Sequence, residues 1–461
     1  MEAPTYAKTL ARYVTHISFA DLPERVVEHT KLCITDTLGI ALASPVIEGS
    51  TEFILDFVKK LKGKEEASLF KYHDKVPCTN AILANSYLAH CIGFDDTHNE
   101  AIAHTGAGVI PTAIATAERE GKDGKDVITA VVLGYDIAVR VSMALNPVMM
   151  YARGFHPSSI CVTFGCAAAA GKLLNLNEDQ VINAFGLAGV QAAGLLAGMK
   201  EGSTSFLLQY SKAAQSGFLS AELAQCGLTG WNMILEDEKG FGKAFSEKPD
   251  LTKLTNLLGK KFEIIKNTIK LYPCCHFMHA GIDALREIMH VYSVKAKDLE
   301  RITLKLPSKG LIALEVDRHV MPENRRSARV NAPYIMSVAA IGGDAILDIN
   351  KLIEEKRNDQ KIQRFLPRVE VVADSELDKF LPKKRVAIVE VETKDGKRHT
   401  HRVDVPKGDP GNALTKDEVN GKFRKLTQNV LSRKRIEELL EIINKLEQVD
   451  NIPQLTKLLR V

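Results

Sequence analysis

Three short stretches each concentrate chemically versatile side chains. "GFDDTHNEAIAHTG" (93–106) brings together Asp95, Asp96, Thr97, His98 and His104. Adjacent carboxylates point in different directions on most backbones, so one can orient a histidine or cap a helix while the other faces solvent. Histidine titrates near neutrality and can move protons or hold an anionic group. "ARGFHPSS" (152–159) sets His156 before a proline, with Arg153 nearby and Ser158-Ser159 placed to open a helix. A helix N-terminus offers free backbone N–H groups to a carboxylate. The same pattern also suits a buried, hydrogen-bonded histidine.

"KLYPCCHFMH" (270–279) packs Cys274, Cys275, His276 and His279 into six positions. Zinc needs three or four ligands converging tetrahedrally. Neighbouring cysteines rarely bind one ion together, and no second CxxC-type pair lies elsewhere. Cys275 and His279, four apart on a helix, would give two ligands, which do not make a site. Pro273 instead suggests a helix start at a junction between domains, with Lys270 near the helix N-terminus. The chain has no GxGxxG after a strand, no GxxxxGK[ST] and no GxSxG elbow, so any chemistry relies on side chains alone.

The elements that must position these residues change character along the chain. The first 266 residues read as successive helices. Asp21-Leu22-Pro23-Glu24 is a start signal with Pro in the first turn, followed by Val26, Val27, Cys33, Ile34 and Leu38 on one face. Asn177 with Gln180 forms a capping-box pattern. Runs such as "CAAAAGKLL" predict close helix packing. From 267, "LERITLKLP" (299–307), "RVEVVAD" (368–374), "RVAIVEVET" and "KRHTHRVDV" alternate like strands, the last two around Asp395-Gly396, a hairpin dipeptide. "APYIMSVAAIGGD" and "INKLIEEKRN" look helical between them. After 406 helices return, with Ile436, Leu439, Leu440, Ile443 and Leu446 forming an apolar stripe. The expected architecture is a mostly α chain: a large helical domain (1–266 and 406–461) carrying an inserted smaller α+β domain (267–405).

At 461 residues the chain can bury a large core, and its 45% hydrophobic and 26% charged composition is that of a globular protein. A formal charge of +4 predicts neither a nucleic-acid nor a membrane surface, while allowing a local basic pocket. The N-terminus has no signal-peptide core, and no stretch approaches the roughly 18 apolar residues of a span. The longest candidate, Gly189 to Met199, is interrupted by Gln191. Eight cysteines without a framework predict a reduced, cytoplasmic protein.

Taken in order, "DTLGIALAS", "FDDTHNEAIAH", "GYDIAVRV", "RGFHPSSICVTFGCAAAAGKLL", "AAQSG", "LYPCCHFMHAGIDAL" and "SARVNAPYIMSVAAIGGD" resemble the MmgE/PrpD family, most securely over 20–345. That family includes 2-methylcitrate dehydratase, cis-aconitate decarboxylase and an iminodisuccinate epimerase. The resemblance implies a homodimeric enzyme without metal or other cofactor, whose smaller domain acts as a lid over a cleft. It would act on a small di- or tricarboxylate or 2-hydroxy acid through an enolate-like species. The expected reaction is a lyase step, dehydration or decarboxylation. The alternatives are an epimerase or racemase, or an impaired binder of an anionic metabolite.

Residue by residue, the resemblance implies that His104 and His156 transfer protons and bind carboxylate, that Asp96 orients a histidine and that Tyr334 donates a hydrogen bond or proton. Thr97, Lys270, Cys275 and Arg329 would bind substrate. The chain departs from the family pattern at Gly93, where many members carry Asp, and at Thr105, where Pro is common. Phe206 and Gln209 fall where many carry Lys and His, leaving Lys200 and Lys212 as nearby lysines.

Overall fold

A computed structural model describes residues 4–49, 51–197, 203–316 and 319–461. The chain divides into two compact units: Met1–Asn267 with Lys416–Val461, and Thr268–Thr415. The first is helical; the second combines helices with a small sheet.

The larger unit is built on α1 (Glu24–Ile47), α2 (Cys78–His90), α3 (Gly106–Glu120), α4 (Gly124–Ala144), α5 (Pro157–Leu173), α6 (Glu178–Gln191) and α7 (Ser205–Gln225). Pro23 stands at the N-cap of α1 rather than in its first turn. The capping box of α6 forms as expected: Gln180 N–H donates to Asn177 Oδ1 at 2.9 Å and Asn177 N–H to Gln180 Oε1 at 3.0 Å. Helix α5 is buried along almost its whole length and packs on α4 and α7. Small residues make this possible. A Cβ on Gly165 would collide with the carbonyl of Gly134, and one on Gly134 would come within 3.0 Å of the Gly165 carbonyl, so only glycine allows α4 and α5 to approach this closely.

Among the described residues, two helices, α1 and α4, are long and apolar enough to cross a membrane by length and composition alone. This corrects the expectation that no stretch approaches that length. Inside the fold, 83% and 94% of their apolar windows are buried, so their apolar character is used in packing this unit's core. Of the Gly189–Met199 stretch, α6 covers only the residues up to Gln191, and Gly198 and Met199 lie outside the described residues.

The smaller unit holds a four-stranded sheet of β1 (Leu299–Pro307), β2 (Val369–Asp374), β3 (Ala387–Thr393) and β4 (Arg398–Val403) in the order β2-β1-β3-β4. β1 pairs parallel with β2 (Ile302 opposite Val369) and antiparallel with β3 (Leu304 opposite Val389). Ile302, Leu304 and Leu306 are buried on one face, the period of two that the sequence displays. The β3–β4 hairpin turns at Asp395-Gly396, with Gly396 at φ +79°. Helices α8 (His279–Val291) and α9 (Ala332–Ile341) complete the unit, α8 lying on β3 and β4.

Three local expectations change. Pro273 does not start a helix: a single 3-10 turn spans His276–Met278 and α8 begins at His279. "INKLIEEKRN" forms a short π turn at Lys351–Glu355 and a 3-10 turn rather than a regular helix. The second boundary falls at 415/416 instead of 405/406. Residues 406–415 belong with the smaller unit because Lys407 N–H donates to Asp283 at 2.7 Å and Asp409 accepts from Thr268 at 2.8 Å and His276 at 2.7 Å. The chain then returns to the larger unit with α10 (Lys416–Thr427) and α11 (Arg433–Asn444). Ile436, Leu439, Leu440 and Ile443 are buried on α11 and Leu446 just after it.

A histidine cluster as candidate active site

Within the larger unit, a chain reversal after α2 assembles the first site segment. Gly93, at φ +63°, turns the chain out of α2. Backbone bonds between His98 and Ala103, 2.8 Å from His98 N to Ala103 O, then fold 97–104 into a hairpin. This returns His104 to Asp95 and Asp96 just before α3. Its backbone N–H donates to Ser158 Oγ at 3.0 Å, tying the hairpin to the start of α5.

The buried Asp95 carboxylate faces two imidazoles through one oxygen: Oδ2 is 2.8 Å from His90 Nδ1 and 3.3 Å from His104 Nδ1. Burial alone would raise its pKa, but the charges and hydrogen bonds of His90 and His104 hold it well below the usual carboxylate range. His104 Nδ1 also lies 2.8 Å from the Asp96 carbonyl. A carbonyl only accepts, so Nδ1 carries the proton and Nε2 is the ring's basic nitrogen. The His104 side chain is 24% exposed, whereas that of His90 is 6% exposed. His104 is thus the imidazole of the pair that presents an edge.

Asp96 meets a histidine through its backbone carbonyl, at His104 Nδ1, while the carboxylate that faces both imidazoles is that of Asp95. The Asp96 carboxylate accepts from Tyr135 Oη, Asn267 Nδ2 and, at 3.1 Å, Gly106 N. Burial, partly offset by Tyr135 and reinforced by the charges of Asp95 and Asp36, pushes its pKa up to about 7. Thr97, beside it, is buried.

His156 is the N-cap of α5, with Pro157 at the first helical position. It is 4% exposed. Its Nδ1 is 2.9 Å from Ser159 Oγ and its Nε2 is 2.9 Å from Tyr210 Oη. Burial, then the charges of His104 and His90, lower its pKa well below the ordinary value, so the ring is neutral. Tyr210, on α7, also stacks on His90 with ring centroids 3.4 Å apart. Phe206, one turn earlier, lies 5.0 Å from the His156 ring. Gln209 clamps the backbone of Leu195 instead of joining the cluster. Lys212 is exposed and bonds to Gln215, and Lys200 lies outside the described residues. Arg153 sits over the Phe155 ring.

His90 and Tyr210 were not anticipated from the sequence. His90 lies five residues before Asp95 at the end of α2, and Tyr210 four after Phe206 on the same face of α7. Both spacings are visible in the chain, but neither says that the two helices meet.

The remaining candidates belong to the smaller unit. Lys270 and Arg329 are buried, and Cys275 N–H donates to the Arg329 carbonyl at 2.8 Å. Tyr334 is fully buried and its hydroxyl donates to the Leu352 carbonyl, so that proton is committed to the backbone. His276 lies between Asp409, 2.7 Å from Nε2, and Arg385, 2.7 Å from Nδ1. Because the guanidinium only donates, Nδ1 accepts and His276 is neutral. Burial raises the thiol pKa values of Cys274 and Cys275, which disfavours the thiolate that a metal would need.

Among the described residues, His90, Asp95 and His104 have the composition of a divalent-metal site, with donor atoms within 4.8 Å of one another. The hydrogen-bond geometry fits a metal poorly. Both Nδ1 atoms face the Asp95 oxygen, and the one on His104 must keep its proton for the Asp96 carbonyl.

A helical unit and an α+β unit, with an Asp-linked histidine pair at the end of a hairpin, define the class of molecule. The MmgE/PrpD N-terminal domain model matches residues 8–254 and the MmgE/PrpD C-terminal domain model residues 272–448, so the chain belongs to the MmgE/PrpD family. It is 26% identical to a cis-aconitate decarboxylase-like protein, oryM, of Aspergillus oryzae, over 98% of this chain and 96% of that one. It is also 26% identical to the cis-aconitate decarboxylase of Homo sapiens (100% and 95%) and 22% identical to that of Aspergillus terreus (98% and 95%).

Proposed function

We propose that the protein is a cofactor-independent lyase of the decarboxylase or dehydratase type, acting on a small di- or tricarboxylate or 2-hydroxy acid, with His104 as its proton carrier. The observation that carries this reading is the fixed tautomer of His104: Nδ1–H is held by Asp96 O and Asp95, and Nε2 remains to exchange a proton at carbon. The full-length similarity to cis-aconitate decarboxylases favours decarboxylation. In that reaction the bond from carbon to the leaving carboxyl breaks, and the electron pair spreads into a neighbouring conjugated carboxylate. His104, carrying on Nε2 a proton taken up from water, then delivers it to carbon. In dehydration the neutral Nε2 would take the proton from carbon, and the resulting imidazolium would pass it to the departing hydroxyl, which leaves as water. The carboxylate-binding roles of Thr97, Lys270, Cys275 and Arg329 belong to the proposal, as do a homodimeric state and a cytoplasmic setting.

A second reading, an impaired binder, is favoured by Phe206, whose ring packs beside His156 where many family members place a lysine. Proton NMR in D2O against cis-aconitate, citrate, 2-methylcitrate, malate, tartrate and iminodisuccinate separates the readings. Loss of CO2 or water with unchanged rate after chelation supports the lyase. Deuterium exchange without net elimination supports an epimerase. Binding without turnover supports the impaired form.

A further inference from the structure

Tyr210 touches both halves of the histidine cluster. Its hydroxyl is 2.9 Å from His156 Nε2, and its ring lies parallel to His90 at 3.4 Å, with an interplanar angle of 24°. The hydrogen-bond inventory around His156 sets the direction of these bonds. Ser159 Oγ lies 3.1 Å from the His156 carbonyl and donates its proton there. The same oxygen therefore accepts from His156 Nδ1–H at 2.9 Å. With Nδ1 protonated and the ring neutral, Nε2 is an acceptor, and Tyr210 O–H is its donor.

We infer that Tyr210 is a positioning residue of the site: it fixes His156 as the Nδ1–H tautomer and clamps the His90 ring against Asp95. Both effects follow from one side chain on α7, which reaches the start of α5 with its hydroxyl and the end of α2 with its face. Phe206, one turn away, packs 5.0 Å from the His156 imidazole. The buried histidines are thus held in defined protonation patterns while His104 exchanges protons. The kinetic part of this inference rests on the lyase reading; the tautomer part does not.

The test uses protein labelled with 15N at its 13 histidines, with His156 assigned by the signal lost in His156→Gln. In the native protein His156 shows a protonated Nδ1 and an unprotonated Nε2. Ser159→Ala keeps that pattern because Tyr210 still donates. Tyr210→Phe retains the ring but removes the donor at Nε2, so the rotatable Ser159 hydroxyl can turn its proton to Nδ1 and a mixture of tautomers results, with kcat on the active acid down about tenfold or more and KM within about threefold. An Nε2-protonated His156 in the native protein, or a switch to it in Ser159→Ala, would overturn the inference. So would Tyr210→Phe with a single Nδ1–H tautomer, or with a mixed tautomer and native kcat. The native and Ser159→Ala spectra decide the tautomer even if Tyr210→Phe does not fold, and they need no substrate.

Discussion

Ser158 Oγ stands 3.0 Å from the backbone nitrogen of His104, so the first turn of one buried helix holds the hairpin that presents His104. The serine is itself buried. Ser158→Ala leaves an N–H without its acceptor, and the expected loss is about 1–3 kcal/mol of stability, read by urea denaturation. Turnover should fall several-fold, because the hairpin that positions His104 loses an anchor.

Asp95→Asn removes the charge that two imidazoles share. Turnover is expected to drop about 100-fold or more, measured on whichever acid is active. Stability gives an independent readout. The folded-state pKa of Asp95 is depressed, so its contribution is full above the unfolded value, about 3.9. That contribution is lost as pH falls toward the lower folded value. Denaturation curves between pH 5 and 2.5, as roughly chosen from those values, should show a shallower acid loss in the variant.

Asp96 gives the opposite slope. Its folded pKa is raised to about 7, so the folded state binds the proton more tightly than the unfolded chain. Its contribution is full below about 3.9 and declines as pH rises through about 7. In Asp96→Asn this decline should be absent. Chemical denaturation at intervals from pH 4 to 8, a range set roughly by the same values, checks it.

Gly165→Ala puts a methyl group against the Gly134 carbonyl across the α4–α5 contact. The helices must move apart, at a cost of about 1–3 kcal/mol. A thermal melt should show the lowered Tm, while Gly121→Ala, at a helix end with open space but φ +64°, should cost less.

Much of the fold could be read from the chain because its signals are local. The Asn177–Gln180 box, the Asp395-Gly396 turn and the alternation of Ile302, Leu304 and Leu306 each depend on residues a few positions apart. His104 and His156 stood out for the same reason, since each sits in a dense polar segment next to a helix start. Which of Asp95 and Asp96 faces the imidazoles depends on how the 97–104 hairpin closes, and no spacing encodes that. His90 and Tyr210 lie 120 positions apart in the chain, on different helices, so their meeting is a tertiary fact. Tyr334 matched a motif position, yet its hydroxyl is taken by Leu352. The 406–415 segment reads as an exit from the smaller unit until Lys407 and Asp409 are seen bonded within it.

The central claim is that His104 carries the proton. Its most direct test is turnover of the active acid by His104→Gln in D2O, followed by proton NMR, with circular dichroism to confirm the fold. The account predicts a fall of about 100-fold or more in both product formation and deuterium incorporation. A folded variant that turns over within about threefold of the native rate would contradict it.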